Sequence, residues 1–291
     1  MKNKGNRRMR SRSATAEVWH NFVRNKGAVV GLVVLGLIVT IAIFGAIFID
    51  YQSIVSVNPQ EMLQHPSLQH PFGTDQYGRD IMFRIIYGAR YSLSVGLVAV
   101  FIALAIGGFL GMLAGNVGGV AETIIMRGCD VFASIPSLLL AISISTALGS
   151  STWVLMLAVG LVSVPAFARV ARASVMTVRD KEFVEASRAV GASNMRILFT
   201  HIIPNAMAPV IVQATMRVGT AIIVAASLSF LGMGVPIPAP EWGAMLSDGR
   251  SMIRDYSYMT VFPGLAIMIT VLSINLIGDA LRDAMDPKLK R

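Results

Sequence analysis

Six stretches of this chain, 29–49, 93–114, 131–148, 152–168, 210–231 and 259–277, are apolar enough to cross a bilayer, and nothing else constrains the fold as strongly. About 20 apolar helical residues span a hydrocarbon core, and the third and fourth stretches lie near the short limit. Hydrophobic residues make up 54% of the chain, charged ones 14%, and mean hydropathy is +0.65, where a soluble domain of this size would carry more charge. The first stretch is no cleavable signal peptide: it is long, lies well inside the chain and lacks a small-residue cleavage site.

A pI of about 10.1 invites a nucleic-acid reading, but the placement of the basic residues explains it otherwise. With the N-terminus inside, the inner segments hold eight Lys and Arg before residue 27, Arg127, six from Arg169 to Arg196 and four from Arg282 on, which is 19 of the 25. The outer loops hold Arg79, Arg84, Arg90, Arg250 and Arg254. This asymmetry follows the positive-inside rule, puts both termini in the cytoplasm and leaves no excess charge for nucleic acid. Cys129 is the single cysteine, so no intramolecular disulfide forms.

Between the fourth and fifth stretches lies a polar interruption, residues 180–206, that reads as two short helices hinged at a glycine. Asp180 is the expected N-cap of a helix through Val190, with Glu182 and Glu185 near its positive end and Gly191 in the left-handed conformation that stops it. Ser193 caps a second helix carrying Met195, Ile197, Leu198 and Ile202, and Pro204 marks where the chain is redirected. Such a shape suits docking into another protein.

Elsewhere, residues 1–13 read as a basic disordered tail near anionic headgroups. In segment 15–26, Val18, Trp19, Phe22 and Val23 share a helical face while Arg24 and Lys26 reach phosphates, as in an interfacial helix lying on membrane lipid. The outer loop 51–91 contains Asp75, Arg79 and Asp80; an arginine between two acids makes a salt-bridged turn, with contact to a docked extracytoplasmic partner as the alternative and no metal expected. Gly107, Gly111 and Gly115 strip one face of the second span for close helix approach, and Pro136 and Pro165 kink the third and fourth. Pro236, Pro238 and Pro240 exclude a regular helix where the second outer segment begins, and Trp242 reads as an interface anchor or as part of a gate touching a delivery protein.

The sixteen acids and four histidines all lie in tails, loops or span ends, which counts against a proton-coupled carrier. Arg217, with Gln213 one turn before it, is the clear intramembrane charge and should face a water-filled cavity or a partner; a substrate carboxylate, a backbone carbonyl and a companion subunit are all open as its contact. Asn275 has the same ambiguity between an interhelical hydrogen bond and the translocation path. No phosphate-binding loop occurs, since none of the six lysines follows a glycine, and the chain has no H-E-x-x-H, G-x-S-x-G or Cys pair. Energy, if used, must come through the cytoplasmic handle.

That handle resembles the coupling loop of binding-protein-dependent ABC importer permeases, through Glu185-Ala186-Ser187, Gly191 and Pro204, with Ser187, His201 and Ile203 departing from the usual Ala, Ile and Leu. FGTDQYGRD (72–80), SLSFLGMG (227–234), PEWGAMLSDGR (240–250) and GDALRDAMDPKLK (278–290) are similar to the C-type permease subunit of dipeptide and oligopeptide importers. The resemblance implies an all-α integral membrane protein: six transmembrane helices of the type I ABC importer permease fold with a cytoplasmic coupling helix. Its parts would be a tail and interfacial helix (1–27), a first span (28–49), an extracytoplasmic loop (50–92), a core permease domain (93–277) and a cytoplasmic tail (278–291). It further implies a homologous second permease subunit, two ABC ATPase subunits that bind the ATP and Mg, and an extracytoplasmic solute-binding protein, all at a prokaryotic inner membrane. This chain would be non-catalytic and hold no cofactor. Cargo stays open among peptides, nickel, glutathione and oligosaccharide, and an ATP-independent secondary carrier is the alternative of another class.

Overall fold

The structure, a computed structural model, describes residues 14–285. The tail 1–13 and residues 286–291 lie outside the described residues. Regular structure among those described is helical throughout, apart from one isolated bridge between Thr74 and Asp80.

Helix α1 (Ala14–Arg24) ends at Asn25, whose Oδ1 accepts from Gly27 N at 2.9 Å and so caps α2 (Lys26–Phe48). Phe22 of α1 is buried against Ala28, Ala280 and Ala284, while Trp19 stays exposed. After the short α3 (Tyr51–Val55), α4 (Ile81–Val117) starts well ahead of the apolar stretch at 93. Asp80 caps it by accepting from Phe83 N at 3.1 Å, and buried Arg84, Gly88 and Ser92 pack the polar first turns against neighbouring segments. Residues 81–92, expected in the outer loop, therefore belong to a core helix.

The third stretch is a second correction. Instead of one kinked span over 131–148, α5 (Gly119–Ser134) and α6 (Ser137–Leu148) meet at 90°. Pro136 has no N–H to continue α5, and it drives Ile135 into the extended region at φ −86°, ψ 129°. The break leaves an apolar run, including Val131, Phe132, Ile135 and Leu139, exposed on the outside of the chain.

Helix α7 (Thr152–Arg179) keeps Pro165 inside it and runs about three turns past the apolar stretch that ends at 168. Then come α8 (Glu182–Ala189), α9 (Asn194–Ile197), a π turn (Leu198–Ile202), α10 (Ile203–Phe230), α11 (Trp242–Gly249) and α12 (Tyr258–Met285). Pro204 does not redirect the chain: it stands at the start of α10 directly after the π turn, and the helix runs on through it from Asn194 to Phe230. Among the described residues five helices are long and apolar enough to cross a membrane, and the bent α5–α6 pair makes a sixth if taken as one span.

The core lies where α4, α7 and α10 meet, built on Val95, Ala99, Leu155, Val159, Phe167 and Leu228. Helix α12 packs against α10 and α2. A second apolar cluster, with Ile81, Trp242, Met245 and Tyr258, seats α11 on the N-terminal ends of α4 and α12.

Candidate functional site

The α7–α10 connection has one anchored face and one open face. Val184, Ile197 and Ile202 are buried with Val175 of α7 and Ala206 of α10, so both short helices are fixed to the bundle. Arg179 donates to Gly115 O at 2.9 Å and ties the end of α7 to that of α4; Arg172 binds Glu122 of α5 through Nε at 2.7 Å. Asp180 is not the cap of α8. It closes α7, and Lys181 occupies the N-cap without a side-chain bond, so the charge of Glu182 and Glu185 in the first turn takes over that role. Ser193 caps α9 as expected, its Oγ accepting from Arg196 N at 3.4 Å. Gly191 has φ +83°, and its N–H bonds Arg188 O at 2.9 Å.

Glu185, Ala186 and Gly191 are all exposed on this segment, and Ser187 is half-buried with its Oγ donating to Phe183 O. Around them Phe183, Val190, Met195 and Phe199 are exposed, Val190 at 84%. Large apolar side chains beside charges on an otherwise polar end of the molecule are the composition of a protein-docking surface. Pro204 is apart from them. It lines a groove of about 540 Å³ beneath α1, with Trp19, Phe22, Leu32 and Ile211.

Farther into the bundle, Gln213 lines a cavity of about 470 Å³ with Val170, Met216 and Arg282, so α7, α10 and α12 all contribute to it. Arg217 is half-buried one turn on, and no acid lies within ion-pair distance of it among the described residues. Asn275 is not among the residues lining this cavity: it lies against Gly219, where its Oδ1 would be 3.0 Å from a Cβ at that position.

The outer-loop residues are internal. Asp75 and Arg79 are buried and joined at 2.7 Å, Arg79 also reaches Asp248 of α11 at 3.3 Å, and Asp75 lies 3.7 Å from Arg84 Nε. Asp80 caps α4 and lies 2.8 Å from His70 Nδ1. Trp242 is neither an interface anchor nor accessible to a docked protein in this conformation: it is 2% exposed, and its Nε1 donates to Ile85 O at 3.0 Å. The four residues thus form a latch between loop and bundle. Sequence reasoning missed Arg84 and Asp248 as its other members, and Glu241 as the N-cap of α11, accepting from Ala244 N three residues on.

Glu241 is buried without a cation, its Oε2 accepting from Ala244 N at 2.9 Å and its Oε1 from Ser92 Oγ at 3.2 Å. Burial pushes its carboxyl above the usual range, and the N–H groups of Gly243 and Ala244 and the Ser92 hydroxyl only partly pull it back. The folded state therefore holds a proton more tightly than the unfolded one. Stability is greatest below the ordinary carboxylate value and falls as pH rises from there through the raised folded value. The melting temperature should drop as pH rises from the ordinary carboxylate value, and Glu241→Gln, which keeps the acceptor for Ala244, should flatten that drop; an unchanged slope in the variant would disprove the assignment.

A bundle of apolar helices with a broken third span and an open two-helix handle defines a membrane permease. The chain belongs to the binding-protein-dependent transport system inner membrane component family, whose model matches residues 107–291, and residues 13–69 match the N-terminal transmembrane domain of oligopeptide transport permease C. It is 47% identical over 274 residues to the dipeptide transport system permease protein DppC of Alkalihalophilus pseudofirmus, covering 94% of this chain and 90% of that one. The glutathione transport system permease protein GsiD of Escherichia coli is 44% identical with the same coverage. Among solved structures, the inward-facing MetNI methionine ABC transporter matches with a TM-score of 0.59 at 20% identity, over 71% of this chain and 98% of that one. The chain is accordingly a multi-pass inner-membrane permease of the type I ABC importer fold.

Proposed function

We propose that this chain forms half of the translocation pore of an ATP-driven importer of short peptides, with both termini and the α8–α9 handle in the cytoplasm. The observation that carries it is the exposed apolar face of that handle, set on a buried anchor that continues into α7 and α10. ATPase subunits, holding ATP and Mg, would dock there; Glu185 would pair with a basic group or helix N-terminus, and Ala186 and Gly191 would permit close approach. Movement of the handle would pass along α7 and α10 to the gate. A homologous second permease would complete the pore against the face opened by the α5–α6 break, and an extracytoplasmic binding protein would deliver cargo over the latched loop and α11. Gln213 and Arg217 would line the path, with Asn275 packing α12 on α10. The relatives' names, dipeptide and glutathione permeases, support a short peptide as cargo.

Gly191→Asp tests this reading in proteoliposomes containing the whole transporter. The substitution adds a side chain and a charge where a Cβ meets nothing within 4 Å, and the φ of +83° is one that Asp tolerates better than most residues, at a local cost of about 1–2 kcal/mol. Membrane insertion and fold should survive, while uptake falls at least about tenfold relative to ATP hydrolysis, the loss of one good interfacial contact. Uptake at the normal rate would show that the ATPases do not engage this segment.

A further inference from the structure

Two residues of the α7–α10 connection stand apart from the docking surface: Pro204, and His201 in place of the usual isoleucine. His201 lies within the π turn Leu198–Ile202, and Pro204 lies at its exit into α10. Ile197 and Ile202 are buried in one cluster with Val175, Val184 and Ala206, although five residues leave a net rotation of about 140° in an α-helix. A π turn closes i→i+5 bonds, here from Ile203 N–H to Leu198 O, and brings residues five apart back onto one face. The turn is therefore what lets both isoleucines reach Val175 of α7.

Its cause lies in the bonding. Pro204 has no N–H for Thr200 O four residues before it or for Phe199 O five before it, and in a regular helix its ring would crowd the Thr200 carbonyl. Pro209, inside α10, withholds the same donor from Asn205 O. The Asn205 side chain compensates in part, its Nδ2 donating to His201 O at 2.7 Å. On the handle side the His201 ring meets that of Phe183 in α8 at 63°, with centroids 6.4 Å apart. Segment 198–209 is thus helical in course, short of helix bonds, and in contact with α8 as well as α7.

We propose that this π turn is the joint through which the handle drives α10, with His201 as the positioning residue that links it to α8. The inference rests on the coupling reading above and adds the route by which the handle acts. Helices bend where the i→i−4 ladder is interrupted, and a π turn is such an interruption. Ile197 and Ile202 pin the turn against the bundle, while the missing bonds on either side of Pro204 let α10 tilt and rotate about it. Movement of α8 reaches that pivot through Phe183 and His201, and leaves it along the helix that carries Gln213.

The test uses the complete transporter in proteoliposomes with its binding protein and a dipeptide, and compares uptake per ATP hydrolysed with the melting temperature. Pro204→Ala returns an N–H and removes the ring, so the segment should stiffen. Uptake per ATP should fall about fivefold, the low end of coupling between distant sites, while the melting temperature holds or rises. A proline that only packs its groove would lower both together. His201→Ala should lower uptake per ATP about threefold, the usual size of one aromatic edge contact, and His201→Phe, which keeps a ring against Phe183, should restore it. If Pro204→Ala fails to assemble, the two His201 variants carry the comparison. Unchanged uptake per ATP, a parallel fall in melting temperature, or equal loss in His201→Ala and His201→Phe overturns the joint. Gly191→Asp, measured alongside, separates the two readings: if it uncouples and the joint variants do not, the joint alone falls, and if it transports normally, the docking reading falls and takes the joint with it.

Discussion

Gly111→Leu is expected to abolish accumulation of folded permease. A Cβ at Gly111 would come 2.2 Å from the Ala168 carbonyl oxygen and 2.8 Å from Ala171 Cβ, and one at Gly107 would come 2.4 Å from Val164 O. Most of these are backbone atoms inside a helix, which cannot swing aside as a side-chain tip does. The axes of α4 and α7 would have to separate, and the cluster around Val95, Ala99, Leu155, Val159 and Phe167 would lose its packing along the whole seam. Overpacking a soluble core costs about 1–3 kcal/mol. Here two backbones meet directly, as small residues allow in membrane bundles, so the cost should exceed about 4 kcal/mol. Fluorescence-detected size exclusion of the detergent extract should lose its monodisperse peak. Gly36→Leu, at a position of α2 where a Cβ meets nothing within 4 Å, should leave the peak intact. Similar profiles for the two variants would mean that the glycine seam does not set the approach of α4 and α7.

That seam was legible because glycines at four-residue spacing on an apolar helix can do little else. Hydropathy located the spans for the same kind of reason: the bilayer requirement acts on each helix separately. What escaped was decided between segments. Pro136 could as readily kink as break, and the choice for breakage rests on α5 turning onto α7, where Cys129 is buried. The polar first turns of α4 lack a hydrophobic signal, since Arg84 and Ser92 are satisfied by Ile54 O and Glu241, which lie far away in sequence. Asp180 and Lys181 are one position apart, within the range over which helix starts shift. Trp242 was judged by residue type, and residue type favours an interface; its burial depends on the groove that Gly88 and Gly243 open for α11 against α4 and α10. In the handle, the glycine hinge, Ser193 cap and exposed Glu185 followed from local chemistry, whereas the anchoring by Val184 did not.

Asp75→Ala should release the outer loop from the bundle and lower stability by about 3–5 kcal/mol, the usual cost of removing one partner from a buried ion network. Asp75 does two jobs. Its Oδ1 accepts from the N–H of Tyr77 at 2.8 Å and of Arg79 at 3.0 Å, closing the turn, and its Oδ2 meets Arg79 Nε at 2.7 Å and Arg84 Nε at 3.7 Å. Truncation strands the buried N–H of Arg79 and the part-buried one of Tyr77 and leaves two arginines facing a single acid, Asp248, whose own carboxyl burial pushes up and the arginines pull down. Asp75→Asn keeps an acceptor for the turn but loses the charge, so it should fall between wild type and Asp75→Ala. Asp75→Ala with Arg79→Ala removes one of the unpaired cations and should recover part of the loss, which a sum of independent effects would not. Asp130→Asn, which breaks the exposed pair with Arg169, should cost no more than about 1 kcal/mol and serves as the comparison. Melting of the purified permease measures the ranking, and limited proteolysis within residues 56–80 locates it, because release of the latch exposes that loop before the spans separate. If Asp75→Ala melts with Asp130→Asn and its loop stays protected, the aromatic stack of Phe72 on Phe262 and the Tyr258 hydroxyl bonds to Gln64 O and Thr74 O hold the loop by themselves.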